Sequence, residues 1–129
     1  MNDERSLTIK DMFAFEKLEV WQNTMDMSVE IYHLTEQFPK TEQFSLTDQI
    51  RRAMTAVSDN ITEGNSRNTG KDTAHFLSIA YSSLMETMNH LILAQRLLYI
   101  EKETVKYLRL KIEKAGAQIS ALCNYHQNR

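Results

Sequence analysis

Few residues in this chain have the types and spacing that chemistry requires. Glu30-Ile31-Tyr32-His33 has the Glu-x-x-His spacing that places a carboxylate and an imidazole on one helix face, the half-site of di-iron carboxylate bundles. That site needs two copies and two further inward-facing glutamates. Here there is one copy, and Glu30 and His33 both fall on the polar arc of their helix, so no metal is expected. Glu86 and His90, four apart, and Asp72 and His75, three apart, read as helical surface pairs worth a few tenths of a kcal/mol. The four His and the single cysteine, Cys123, show no zinc spacing. There is no Gly-x-Ser-x-Gly and no Gly-rich phosphate loop, so no catalytic residue, no cofactor and no enzymatic activity are expected.

Two polar sets remain. Arg52, Asp59 and Glu63, at offsets of seven and eleven, stack on one flank of a helix with Asn60 alongside and Ala56 between them. The flank adjoins the apolar stripe, so the set reads as an ion-pair and hydrogen-bond lattice fixing bundle register, with a ligand or nucleic-acid contact as the alternative. Arg51, Arg52, Arg67 and Lys71 form a local basic group and are the candidates for touching nucleic acid. Nearby acids dilute it, and counterion release would drive only modest binding.

The elements that must position these residues are helices. With three Gly and one Pro in 129 residues, the chain lacks the turns a sandwich, barrel or doubly wound sheet needs. It has the length of one domain. Fifteen basic against 17 acidic residues give a net charge of −2, without the basic excess of a dedicated nucleic-acid binder. One cysteine excludes an internal disulfide. There is no signal-like h-region and no apolar run long enough to span a membrane, so a cytoplasmic setting is expected. Breaks at Pro39, at Gly64 to Gly70 and near Tyr99 to Lys102 leave four stretches with apolar residues at three- and four-residue spacing. The expectation is an all-α, up-down-up-down four-helix bundle over residues 14–127, with helices at about 15–37, 46–64, 70–98 and 102–126, preceded by a polar arm at residues 1–13. Ser45 with Asp48 suggests a weak capping box for the second helix, and Thr69 a cap for the third.

The first helix carries more apolar surface than a bundle needs. At about 100° per residue, with Leu18 at zero, Leu18, Trp21, Met25, Val29 and Tyr32 fall between about 300° and 20°. Val20, Met27, Ile31, Leu34 and Phe38 fall between about 160° and 220°, with small Thr24, Ser28 and Thr35 in the gap. An apolar arc of a little over 100° is usual, and this is roughly twice that. Taking the first set as the core stripe, the second becomes the candidate subunit interface of a homo-oligomer; deep packing against two neighbours and the arm is the plainer alternative.

Gln49-Ile50-Arg51-Arg52-Ala53 followed by Asn60-Ile61-Thr62-Glu63-Gly64 resembles the central motif of the four helix bundle proteins also called 23S rRNA intervening-sequence proteins. Phe15-x-x-Leu18-x-Val20-Trp21-Gln22 and Ile31-Tyr32-x-Leu34-Thr35-x-x-Phe38-Pro39 extend the similarity upstream, and Phe76-Leu77-x-Ile79-Ala80, Ser83-Leu84-x-Glu86 and Leu93-Ala94-x-Arg96-Leu97-x-Tyr99-Ile100 extend it downstream. The resemblance covers about residues 13–125. It implies a left-handed bundle, a ring of five subunits and a family polar cluster that adds Glu86 to Arg52, Asp59, Asn60 and Glu63. It assigns no activity. A distant relative, the accessory protein of diversity-generating retroelements, is a basic pentamer that binds nucleic acid and a reverse transcriptase. Ser58 replaces a usual proline here, Ser82 a usual glycine and Met88 a usual acid, and the relative's positive charge is absent. The expected role is therefore a non-enzymatic, self-assembling interaction scaffold whose partner is a second copy of itself, with a nucleic-acid-binding accessory protein as the alternative.

Overall fold

The computed structural model describes residues 8–129; residues 1–7 of the expected arm lie outside the described residues. Four helices make up most of the rest: α1 (Glu19–Thr35), α2 (Leu46–Asn65), α3 (Gly70–Arg96) and α4 (Lys102–Gln127). There is no strand among the described residues. Short 3-10 turns occupy Ile9–Asp11, Ala14–Lys17 and Lys40–Glu42.

The helix ends follow local chemistry. The first helix starts later than expected. Glu16 folds back to accept the Phe13 N–H at 2.8 Å, closing the turn Ala14–Lys17, and Leu18 is extended before α1 begins. Thr69 caps α3, its hydroxyl accepting from the Asp72 N–H at 3.1 Å. Ser45 does not cap α2. The Glu42 carboxylate takes the Leu46 N–H instead, at 3.3 Å, while Asp48 turns to Arg52. At the end of α3 the Tyr99 N–H bonds to the Ala94 carbonyl and the Leu98 N–H to that of Gln95, both at 2.9 Å. This is a Schellman closure, and it holds Leu98 at φ 65°, where glycine is usual.

Consecutive helices pack against each other and α4 closes back on α1, which makes the four-helix bundle. Thr35 meets Arg51, Gly64 meets Thr73 and Ala74 meets Cys123, so each helix runs opposite to its predecessor. Glu30 meets Lys111 and Glu19 meets Lys114, which sets α4 antiparallel to α1. The α2–α3 crossing is close: the Thr73 hydroxyl donates to the Gly64 carbonyl at 2.9 Å. A Cβ on Gly64 would stand 3.2 Å from the Thr73 oxygen and from Phe76 Cβ.

The core joins Ile50, Met54, Val57 and Ile61 of α2 to Leu77, Leu84 and Leu91 of α3 and Leu108, Ile112 and Ile119 of α4. From α1 it takes Val20, Met27 and Ile31, with Phe38 just beyond the helix end. This overturns the expected division of the α1 surface. The set read as a subunit interface is the inner face: Met27 is 1% exposed, Ile31 0%, Val20 and Phe38 are buried, and Leu34 packs against the core. Thr24, Ser28 and Thr35 are buried beside it and let α1 approach α2 closely. Of the set read as core, Met25, Val29 and Tyr32 form the outer face, while Leu18 and Trp21 are half-buried and pack against the core.

Candidate interaction surface

That outer face consists of Met25, Val29 and Tyr32, which are 39%, 55% and 42% exposed. Their spacing of four and three aligns them on one stripe, and half-buried Leu18 and Trp21 continue it toward the N-terminus. Phe15 packs its ring edge-on to Trp21 at 5.2 Å between centroids, and the Gln22 side-chain amide donates to the Glu16 carbonyl, fixing that end. At the other end Arg51 of α2 lies over the Tyr32 ring, 4.5 Å from its centroid. Its Nε donates to the Thr35 hydroxyl at 2.9 Å and a terminal nitrogen to the Tyr32 carbonyl at 3.2 Å. Tyr32 is thus held in one orientation, with its outer face still exposed.

The polar set on α2 does not assemble into a lattice. Arg52, 79% exposed, pairs with Asp48 at 2.8 Å, and Glu63 pairs with Arg67 at 2.6 Å. Each is a same-helix or next-turn surface pair of small energetic weight. The Asn60 amide donates back to the Ala56 carbonyl at 2.8 Å. Asp59 is exposed and makes no ion pair among the described residues. Glu86 faces His90 at 3.4 Å on α3. The reason is distance: residues seven apart on a helix stand about 10 Å apart along its axis, beyond reach of each other's side chains.

The basic group is also divided. Arg51 and Arg52 sit in the first half of α2, whereas Arg67 follows its end and Lys71 opens α3. From Arg52 to the end of α2 at Asn65 is already about 20 Å of helical rise. Arg51 is engaged with α1, and Arg67 is paired with Glu63 and stacked 4.5 Å over the Phe76 ring. Lys71 is exposed. The arrangement presents separate, partly neutralised cations rather than one phosphate-tracking groove.

Glu30 has a role that the sequence reading missed. It accepts from the Tyr107 hydroxyl at 2.7 Å and from the Lys111 ammonium at 2.8 Å, both on α4. Partial burial pushes its carboxyl pKa up, but the Lys111 and Tyr107 hydrogen bonds outweigh that and hold it below the ordinary glutamate value. The same contact, with a further hydrogen bond to Tyr107, raises the Lys111 pKa above the usual lysine value. A pair 81 residues apart is invisible to spacing within one helix. His33 is exposed, and among the described residues no three His, Cys, Asp or Glu gather closely enough to hold a metal. A groove of about 390 Å³ between α3 and α4 is lined mainly by Tyr81, Met85, Met88 and Gly116, with Arg109 and Glu113 at its rim. None of these groups forms a nucleophile–base pair. No helix among the described residues is long and apolar enough to cross a membrane.

Comparison with known proteins agrees with this architecture. A family described as 23S rRNA-intervening sequence protein matches over residues 16–121. Among solved structures, a protein of unknown function from the S23 ribosomal protein family of Bacteroides thetaiotaomicron superposes with a TM-score of 0.75. The two are 23% identical, and the match covers 81% of this chain and 95% of that one. No curated protein matches the chain.

Proposed function

The chain belongs to the family of 23S rRNA-intervening sequence proteins, and from that premise we propose that it acts as a non-enzymatic, self-associating interaction scaffold. The observation that carries the reading is the outer face of α1. Met25, Val29 and Tyr32 form a contiguous apolar stripe that the bundle leaves partly exposed, although α1 already supplies a full inner face to the core. Apolar stripes of this kind mark association surfaces. A second copy of the same chain is the partner, a closed ring is the expected form, and five subunits is the number the family resemblance implies. The setting proposed is the cytoplasm.

No catalytic role is proposed. Measuring the mass of the purified chain by light scattering during size separation tests the proposal. A mass of several subunits is expected. A species at 15.1 kDa that persists up to high micromolar concentration would overturn it.

A further inference from the structure

The four flanks of the bundle are closed to different degrees. α2 with α3 and α3 with α4 pack most extensively, α1 with α2 less, and α1 with α4 least. Two grooves lie along the α1–α4 seam. One, about 130 Å³, runs between Asp26 and Lys114 and reaches Met27 and Ala115. The other, about 300 Å³, runs between His33 and Thr104 and reaches Leu108. Met27, Ala115 and Leu108 are core residues, each 2% exposed or less. Core side chains thus form the floor of the two grooves along the least extensively packed seam of the bundle.

Between the two grooves stands the Glu30 carboxylate with the Tyr107 hydroxyl and the Lys111 ammonium. The other ion pair across this seam, Glu19 with Lys114 at 3.6 Å, is largely exposed on both sides. On the α2 side α1 is fastened differently, by the buried small residues Thr24, Ser28 and Thr35 and by the Arg51 contacts. The connection from α1 to α2, residues 36–45, is also longer than the other two, residues 66–69 and 97–101.

We propose that the α1–α4 seam is the opening edge of the bundle. α1 swings about its contact with α2, the Glu30–Tyr107–Lys111 cluster is the latch, and opening admits solvent to Met27, Ala115 and Leu108 while α2, α3 and α4 stay packed. The inference stands apart from self-association, since the seam lies on a different side of α1 from Met25, Val29 and Tyr32.

Native-state thiol labelling tests it, in the full-length chain with Cys123→Ser removing the natural thiol. Ala115→Cys and Leu108→Cys place reporters on the floor of each groove, and Ala80→Cys, on fully buried α3 surface away from the seam, reports global opening. Labelling of Ala115→Cys and Leu108→Cys is expected to outrun that of Ala80→Cys once each is corrected for its measured stability. Adding Glu30→Gln should speed the seam reporters roughly two- to fivefold, the range an exposed ion pair supports, beyond any change at Ala80→Cys. Equal rates at seam and control, or seam rates indifferent to Glu30→Gln, would overturn the proposal. Either seam reporter suffices if the other destabilises the fold.

Discussion

Arg51 lies over the ring of Tyr32, its guanidinium carbon 4.5 Å from the ring centroid, while its Nε donates to the hydroxyl of Thr35, one turn along α1 from Tyr32. One side chain of α2 therefore grips two residues of α1 and fixes the boundary between the inner face of that helix and its outer face. The Thr35 hydroxyl passes the contact on, donating to the Ile31 carbonyl at 2.8 Å.

Replacing Arg51 by alanine should cost about 1–2 kcal/mol of stability, given a charged hydrogen bond at a half-buried site together with the cation–π contact. Lysine should recover only part of this, because an ammonium cannot reach the Thr35 hydroxyl and the Tyr32 carbonyl while stacking on the ring. Urea denaturation of the three proteins gives the comparison. Equal midpoints for wild type and Arg51→Ala would show that the grip carries no energy.

The Glu30 latch predicts a pH dependence of known sign. Glu30 has a folded pKa below its unfolded value, so its contribution is present above the ordinary glutamate range and is lost as pH falls through the folded pKa. Lys111 is raised, so its contribution is present below the ordinary lysine value and is lost as pH rises through its folded pKa. Between those limits the stability difference between wild type and Glu30→Gln should be constant, and it should shrink on acidification below about pH 4. Thermal melts of both proteins across that range check the direction; a difference that grows on acidification would reverse the assignment.

Gly64 is placed where α2 and α3 come closest. Alanine there would gain up to about 1 kcal/mol of helix propensity, but its Cβ would press at 3.2 Å on the Thr73 carbonyl and Phe76 Cβ, neither of which is a mobile side-chain end. Net destabilisation of roughly 1–3 kcal/mol is expected from this overpacking. A stabilised Gly64→Ala variant in chemical denaturation would show that the two helices part easily.

Leu98 presents the opposite case. It is 89% exposed and holds φ 65°, so its side chain contributes little packing while its backbone is strained. Leu98→Gly should stabilise the protein by about 1 kcal/mol, read as a higher denaturation midpoint. A loss of stability would mean that the exposed leucine makes a contact in solution.

Much of the fold was legible from residue order. Pro39, Gly64, Gly70 and the period of three and four placed all four helices within a few residues, and Thr69 marked the start of α3 correctly. The faces of α1 were another matter. Both arcs are apolar, and counting large residues favoured the wrong one. Thr24, Ser28 and Thr35 were the informative positions: three small residues bordering Val20, Met27 and Ile31 describe the side on which a neighbouring helix comes close. The polar set on α2 failed because side chains choose partners one turn away, as in Asp48 with Arg52 and Glu63 with Arg67, over those two turns away. The Glu30–Lys111 contact needed the topology first, since only closure of α4 onto α1 brings them together.

The reassigned faces change which substitution is diagnostic. Met27→Asp or Ile31→Asp would place a charge in the core and unfold the chain, so either would abolish assembly without locating an interface.

Val29→Asp is the direct measurement, because Val29 is the most exposed member of the α1 stripe and touches solvent without disturbing the core. Light-scattering mass and helical circular dichroism should be compared for wild type, Val29→Asp and Leu110→Asp, the last on an exposed site of α4. Self-association through the α1 stripe gives a multi-subunit wild type, a Val29→Asp protein reduced to single 15.1 kDa chains with its helicity kept, and a Leu110→Asp protein that assembles as wild type does. A folded Val29→Asp protein with unchanged assembled mass would contradict it.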